Sequence, residues 1–134
     1  MIKFPVMRGM MLLVATLLMA PVTVSATEKY SDPAAVNRRI EQLRQANQSI
    51  VKVHKLAVTP GGREMLMIEI GKAGSSAPAI LVGANFSGIT PLATEAALEL
   101  ASRIINDASL NGGLTWYIVP MGNPDACARY FTKP

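Results

Sequence analysis

Side chains that carry chemistry are scarce in this sequence, which has one cysteine and one histidine in 134 residues. With Cys127 alone no internal disulfide can form, and an unpaired cysteine of this kind reads as a small buried side chain. His54 stands alone, and no nucleophile-elbow pattern accompanies it, so a Ser/His/Asp hydrolase is excluded. Gly61-Gly62 lacks the following Lys-Ser/Thr pair of a phosphate loop. No Lys/Arg cluster follows the N-terminal region, which argues against nucleic acid as a partner.

The first 26 residues have an organisation of their own. Lys3 and Arg8 lead into the apolar run GMMLLVATLLMA, followed by Pro21 and the small-residue site Val24-Ser25-Ala26. This pattern predicts a secretory signal peptide cleaved after Ala26. The run is too short for the ~20 residues of a membrane-spanning helix, and no cysteine follows it for a lipoprotein anchor. Cleavage would leave residues 27–134, that is 108 of 134, secreted or periplasmic and free of the membrane. It would also remove Lys3 and Arg8 with no acidic residue, lowering the formal charge from +4 to +2. The remainder suits one small domain.

Within that domain, Ser31-Asp32-Pro33 predicts a helix start, a polar cap with proline near the first turn. Val36, Ile40 and Leu43 supply its apolar stripe, with Arg38, Arg39, Glu41 and Arg44 facing water. Ile50–Val58 and Met65–Ile70 read as strands of a β-hairpin around the turn Thr59-Pro60-Gly61-Gly62. After a loop at Gly71–Ala77, Pro78 introduces the unbroken apolar run AILVGA, which predicts a central strand covered on both faces. Ala93, Ala97, Leu100, Ala101 and Ile104 form one face of the next helix, opposite Glu95, Glu99 and Arg103. Asn111-Gly112-Gly113 then separates it from a strand at Leu114–Val119. The expected architecture is helix, hairpin and βαβ unit, an α/β fold with a mixed sheet. Four strands and two helices are few for such a sheet. Either another chain covers its open edge, or the sequence is the front part of a larger domain.

In open α/β sheets a ligand site lies beyond the carboxyl ends of the strands, here the loops at Asn85–Thr90 and Met121–Ala126, which should be neighbours. Around them the sequence resembles the zinc carboxypeptidases of the carboxypeptidase A type, over roughly Tyr30 to Phe131. The resemblance rests on the N-terminal helix and Thr59-Pro60-Gly61-Gly62-Arg63 in the hairpin turn. It continues through Pro78 to Asn85, Glu95-Ala96-Ala97-Leu98, and Tyr117 to Asp125 with its Asn123-Pro124-Asp125 turn. It implies the N-terminal part of a secreted metallopeptidase that removes C-terminal residues from peptides. In that family the loop after the apolar strand carries His-x-x-Glu, both residues binding zinc. Ser87 and Thr90 stand in their places here, and a neutral alcohol supplies neither the charge nor the donor strength that zinc requires. The family's third ligand, a further His, and its catalytic Glu and substrate-binding Arg lie further downstream than these 134 residues reach.

The sequence therefore predicts no catalytic residue, no metal ligand and no bound cofactor, with zinc belonging to the family. Ser87, Thr90, Asn123 and Asp125 remain as candidate binding residues in the strand-end loops. Asn123 and Asp125 also read as turn residues that bond nearby amides. Thr90-Pro91 reads as a helix start capped by the threonine hydroxyl. Ala126 replaces the family's glycine, which would strain the loop if a positive φ were needed there. Glu95 and Glu99 read as a solvated helix face, and His54 as a solvated or packed strand residue. The expected function is a family member for peptide hydrolysis that is catalytically inactive. The alternatives are a non-catalytic module binding a peptide or glycan, and a truncated gene product without function.

Overall fold

The computed structural model describes residues 30–71 and 76–132. The expected leader at residues 1–26 and most of the Gly71–Ala77 loop lie outside them. The first described element is helix α1, Pro33–Ala46, where the Asp32 carboxylate accepts a 2.7 Å hydrogen bond from the Ala35 amide and Pro33 opens the first turn. Strands β1, Val51–Val58, and β2, Glu64–Ile70, form the expected hairpin, with an irregularity between Lys55 and Ala57. Strand β3, Ala79–Gly83, leads into helix α2, Pro91–Asn106. A short helix α3, Ala108–Asn111, precedes strand β4, Thr115–Val119, and helix α4, Pro124–Phe131, ends the described chain.

Helix α4 departs from the expected turn. Asn123 caps it by accepting from the Ala126 amide at 3.0 Å, Pro124 sits in its first turn, and Cys127 and Ala128 give it a buried face. Ala126 is thus an ordinary helical residue, and no strain arises from the missing glycine, because the chain takes a helical path there.

The four strands form one sheet in the order β1-β2-β4-β3, antiparallel except for the parallel pair β3 and β4. The mixed sheet and the βαβ unit are as the sequence predicts, but the unbroken apolar run is not the central strand. Among the described residues β4 lies inside the sheet and β3 at its edge. Register explains why. Ile68 and Ile70 of β2 need a continuing apolar row, and β4 supplies it, with Ile118 opposite Ile68 and Trp116 opposite Ile70. β3 then lies beyond, and Leu81, which the unbroken apolar run marks for full cover, is 70% exposed.

One face of the sheet carries the core. Val51, Ile68, Ile70 and Ile118 pack with Val36 and Ile40 of α1, with Ala97, Leu98, Ala101 and Ile104 of α2, and with Cys127 of α4. Full burial of each large aliphatic side chain contributes about 1.5–3 kcal/mol. The buried stripe of α2 is rotated from the expected one, with Thr94, Leu98 and Ile105 joining Ala97, Ala101 and Ile104. Cys127 is buried as expected, and burial, reinforced by the nearby Asp32, pushes its thiol pKa up. Among the described residues, no helix is long and apolar enough to cross a membrane.

Candidate functional site

At the carboxyl end of β3 the chain must leave the sheet and turn into α2 within a few residues. Asn85 makes that turn. It is the one described non-glycine residue with positive φ, at 49°, a region that asparagine tolerates better than most residues. Its side chain is buried and fully used: Nδ2 donates to Thr94 Oγ1 at 3.1 Å, and Oδ1 accepts from the Thr90 amide at 3.1 Å. Its carbonyl accepts from the Gly88 amide at 3.2 Å, closing a tight loop. One asparagine therefore ties the strand end, the loop and the first turns of α2 together.

Ser87 and Thr90 lie on the exposed side of this loop, with their hydroxyls 3.3 Å apart and hydrogen-bonded to each other. Thr90 does not cap α2 with its hydroxyl as the sequence suggests. Its carbonyl accepts from the Ala93 amide, while Asn85 satisfies its own amide. The hydroxyl, turned toward Ser87, is spent on the loop.

The two strand-end loops are neighbours, as expected. Gly88, at φ 75°, is pressed against α4 so closely that a Cβ there would lie 2.3 Å from Cβ of Ala126. Phe86 folds back over the ends of β3 and β4, its ring occupying the space above Gly83 and Gly122, yet it stays 64% exposed. Ile89 and Leu92 are exposed beside it in the chain. The loop thus presents two alcohols among apolar side chains.

Asp125 takes a different role from the local turn residue expected. Its carboxylate reaches the hairpin turn, accepting from Thr59 Oγ1 at 2.8 Å, the Gly61 amide at 2.9 Å and the Arg63 guanidinium at 3.0 Å. The Thr59 hydroxyl first, then the Gly61 amide and Arg63, hold its pKa below the usual carboxylate range against a smaller opposing effect of desolvation. Thr59 closes the clasp by also accepting from the Arg63 amide at 3.1 Å. Asn123 and Asp125 therefore hold structure in place, one capping α4 and the other binding the hairpin turn to it. The clasp is invisible in the sequence because its partners lie more than 60 positions apart.

Glu95 likewise departs from the solvated face expected of it. It accepts from the Ser31 amide at 2.9 Å and pairs with Arg39, joining α2 to α1. Desolvation alone would raise its pKa, but the bonds from Arg39 and Ser31 outweigh it and the net direction is down. Glu99 does lie on the exposed face, paired with Arg103. His54, in β1, bonds Glu69 of β2 through Nε2 at 2.6 Å.

The donor set decides what this site can hold. Zinc is bound by imidazole, thiolate or carboxylate groups. The two positions that the resemblance assigns to metal ligands carry alcohols, and among the described residues no three His, Cys, Asp or Glu side chains gather to hold a metal ion. These residues do not fit a zinc ion.

Comparison with known proteins supports the fold and the kinship. The pattern of the zinc carboxypeptidase family matches residues 36–133. Carboxypeptidase B of Canis lupus familiaris is 25% identical over 120 residues, covering 84% of this chain but 29% of its own length. The fold resembles bovine thrombin-activatable fibrinolysis inhibitor, solved in complex with a tick carboxypeptidase inhibitor. That match has a TM-score of 0.68 and 13% identity, and covers 78% of this chain and 35% of the other. Carboxypeptidase A from Helicoverpa armigera gives a TM-score of 0.65 at 20% identity over 78% of this chain and 27% of the other. The chain thus spans about a third or less of the proteins it resembles. With the family pattern running from α1 through α4, over residues 36–133, this chain belongs to the zinc carboxypeptidase family.

Proposed function

We propose that this chain keeps the carboxypeptidase scaffold around its strand-end loops and does not carry out zinc-dependent peptide hydrolysis. The observation that carries this reading is the hydrogen bond between Ser87 and Thr90 at the positions of the family's His-x-x-Glu pair. Two alcohols satisfying each other leave neither the charge nor the nitrogen and carboxylate donors of such a site. A zinc site is worth about 10–16 kcal/mol of apparent binding energy in small zinc domains, so the loss of two ligands is decisive. A cleaved leader at residues 1–26, as the sequence pattern suggests, would put the processed chain outside the cytoplasm. Metal analysis of the purified chain, with an assay of C-terminal residue release from a model peptide, tests the proposal. The expected result is no stoichiometric zinc and no release; one tightly held zinc per chain, with hydrolysis that chelators abolish, would overturn it.

A second reading, a non-catalytic module for a peptide ligand, is favoured by Phe86, Ile89 and Leu92, which expose apolar surface around the retained loop. A peptide with an apolar C-terminal residue should then raise the melting temperature of the chain, and Phe86→Ala should remove that shift.

A further inference from the structure

We propose that Asn111 is a site of spontaneous covalent modification, its side-chain amide lost to attack by the Gly112 backbone nitrogen whenever the junction between α2 and β4 opens. This junction lies at the opposite end of α2 from the Ser87–Thr90 loop, and the reaction needs no metal.

Asparagine is among the thermally labile residues, and the residue that follows it sets how readily it reacts. Glycine hinders the attack least because it has no Cβ. Asn111 is the one asparagine in the sequence that glycine follows. The turn itself requires that neighbour, since a Cβ on Gly112 would lie 2.8 Å from the Ala108 carbonyl oxygen. The tight end of α3 thus fixes the most reactive pairing at this one place.

While the junction is closed, both reactants are held apart. Nδ2 of Asn111 donates to the Ile104 carbonyl at 2.8 Å and to the Ile105 carbonyl at 3.2 Å, two of the terminal carbonyls that α2 cannot satisfy by itself. The Gly112 amide, which supplies the nucleophile, donates to the Ala108 carbonyl at 3.0 Å. The amide to be lost and the nitrogen that would attack it are therefore bonded to different helices, and the proton that must leave is engaged. Asp107 steadies α3 by accepting from the Ser109 amide at 2.9 Å. From the strand side, the Trp116 indole donates to the Leu110 carbonyl at 2.8 Å.

When these bonds part, the Gly112 nitrogen bonds to Cγ of Asn111, its proton leaves with Nδ2 as ammonia, and a succinimide ring remains. Water then opens the ring. Cleavage of the new bond to Cγ gives aspartate in an unchanged backbone, whereas cleavage of the original peptide bond gives isoaspartate, with the chain running through the side chain. Nothing is oxidised or reduced. Either product carries a carboxylate where the amide donor stood. At its old seat that carboxylate would face the Ile104 and Ile105 carbonyls at the negative end of the α2 dipole, so the junction does not reclose as before. An opening of the junction is thus recorded permanently in the chain.

Peptide mapping with isoaspartyl methyltransferase labelling follows the reaction in the purified chain aged at neutral pH. Asn111 should convert ahead of every other asparagine, and about tenfold or more faster in urea than in the folded chain, because the bonds of the closed junction must first be lost. Asp107→Ala removes the α3 cap without touching the reacting pair. It should speed conversion about fivefold in a chain that circular dichroism shows to be folded. Fresh Asn111→Asp protein should melt below the parent and show a shifted emission from Trp116, the one tryptophan. The converted fraction of the aged parent should do the same, and it supplies the comparison if Asn111→Asp does not fold. Conversion as fast in the folded chain as in urea, earlier conversion at another asparagine, or a converted chain that keeps the parent's melting temperature and Trp116 emission would each overturn the proposal.

Discussion

Asp125 shows how one side chain can stand for two readings until its partners are known. In the sequence it is a carboxylate at a strand end, close to where a site belongs; in the fold, three donors from the hairpin turn occupy it. Its lowered pKa makes the clasp dependent on pH, with a definite sign. A carboxylate whose folded pKa lies below its unfolded value of about 3.9 contributes its full stability above that value. The contribution is lost as the pH falls through the folded pKa. Asp125→Asn removes the charge at nearly constant shape, so the variant should melt several degrees below the parent at neutral pH. The gap should stay constant down to about pH 5 and close as the parent is acidified below about pH 4. Taking the difference between the two proteins cancels the other depressed carboxylates, Glu41, Glu95 and Asp107. Thermal melts across that range provide the check, and a gap that widened in acid would refute the assignment of the clasp to an ionised Asp125.

Helix α2 is held by more than its apolar stripe, because Glu95 joins it to the start of α1 through Ser31 and Arg39. Glu99, one turn further along, makes only the exposed pair with Arg103. Glu95→Ala strips partners from two groups on another element and should cost about 1–3 kcal/mol. Glu99→Ala should cost no more than about 0.5 kcal/mol, the worth of a surface pair on one helix. Denaturant titrations of the two variants measure the difference, and equal losses would show that the bridge to α1 holds nothing. The contrast also marks what periodicity could reveal. The strand and helix patterns place α1, the hairpin and the βαβ unit, since each buries a stripe that repeats with its own period. Periodicity ranks Glu95 with Glu99 because a charged residue beside the apolar stripe looks the same whether water or Arg39 meets it. It also misplaces β3, since an apolar run without alternation records the surface a strand is able to bury and not how many neighbours it has in this chain. α4 was missed for a related reason: its eight residues are too short to set a period, although Asn123-Pro124 is a helix start.

For the molecule as a whole, the family was legible because its motifs fall on the residues that hold the fold: the hairpin turn, the strand before the loop, and the Asn-Pro-Asp cap. The wiring of the site was not, because Asn85, Thr94, Thr59 and Asp125 are joined by contacts that only the tertiary structure creates. That wiring leads to one more expectation. The loop still brings the side chains at positions 87 and 90 together, with their oxygens 3.3 Å apart, and Asn85 holds its shape from beneath without using either hydroxyl. The double substitution Ser87→His with Thr90→Glu should therefore fold, since both positions are exposed and neither side chain caps α2. It should gain zinc affinity that the parent lacks, seen in a calorimetric titration and lost with either single change. Two ligands fall short of the three that a catalytic zinc site draws from its protein. The restored pair should therefore bind zinc without releasing C-terminal residues from peptides. Metal binding without turnover would show that the loop holds these two positions at the spacing a pair of metal ligands needs. A double variant that takes up no zinc would mean that the convergence of these positions does not survive larger side chains, and the loop would then be a relic of the metal site in sequence order alone.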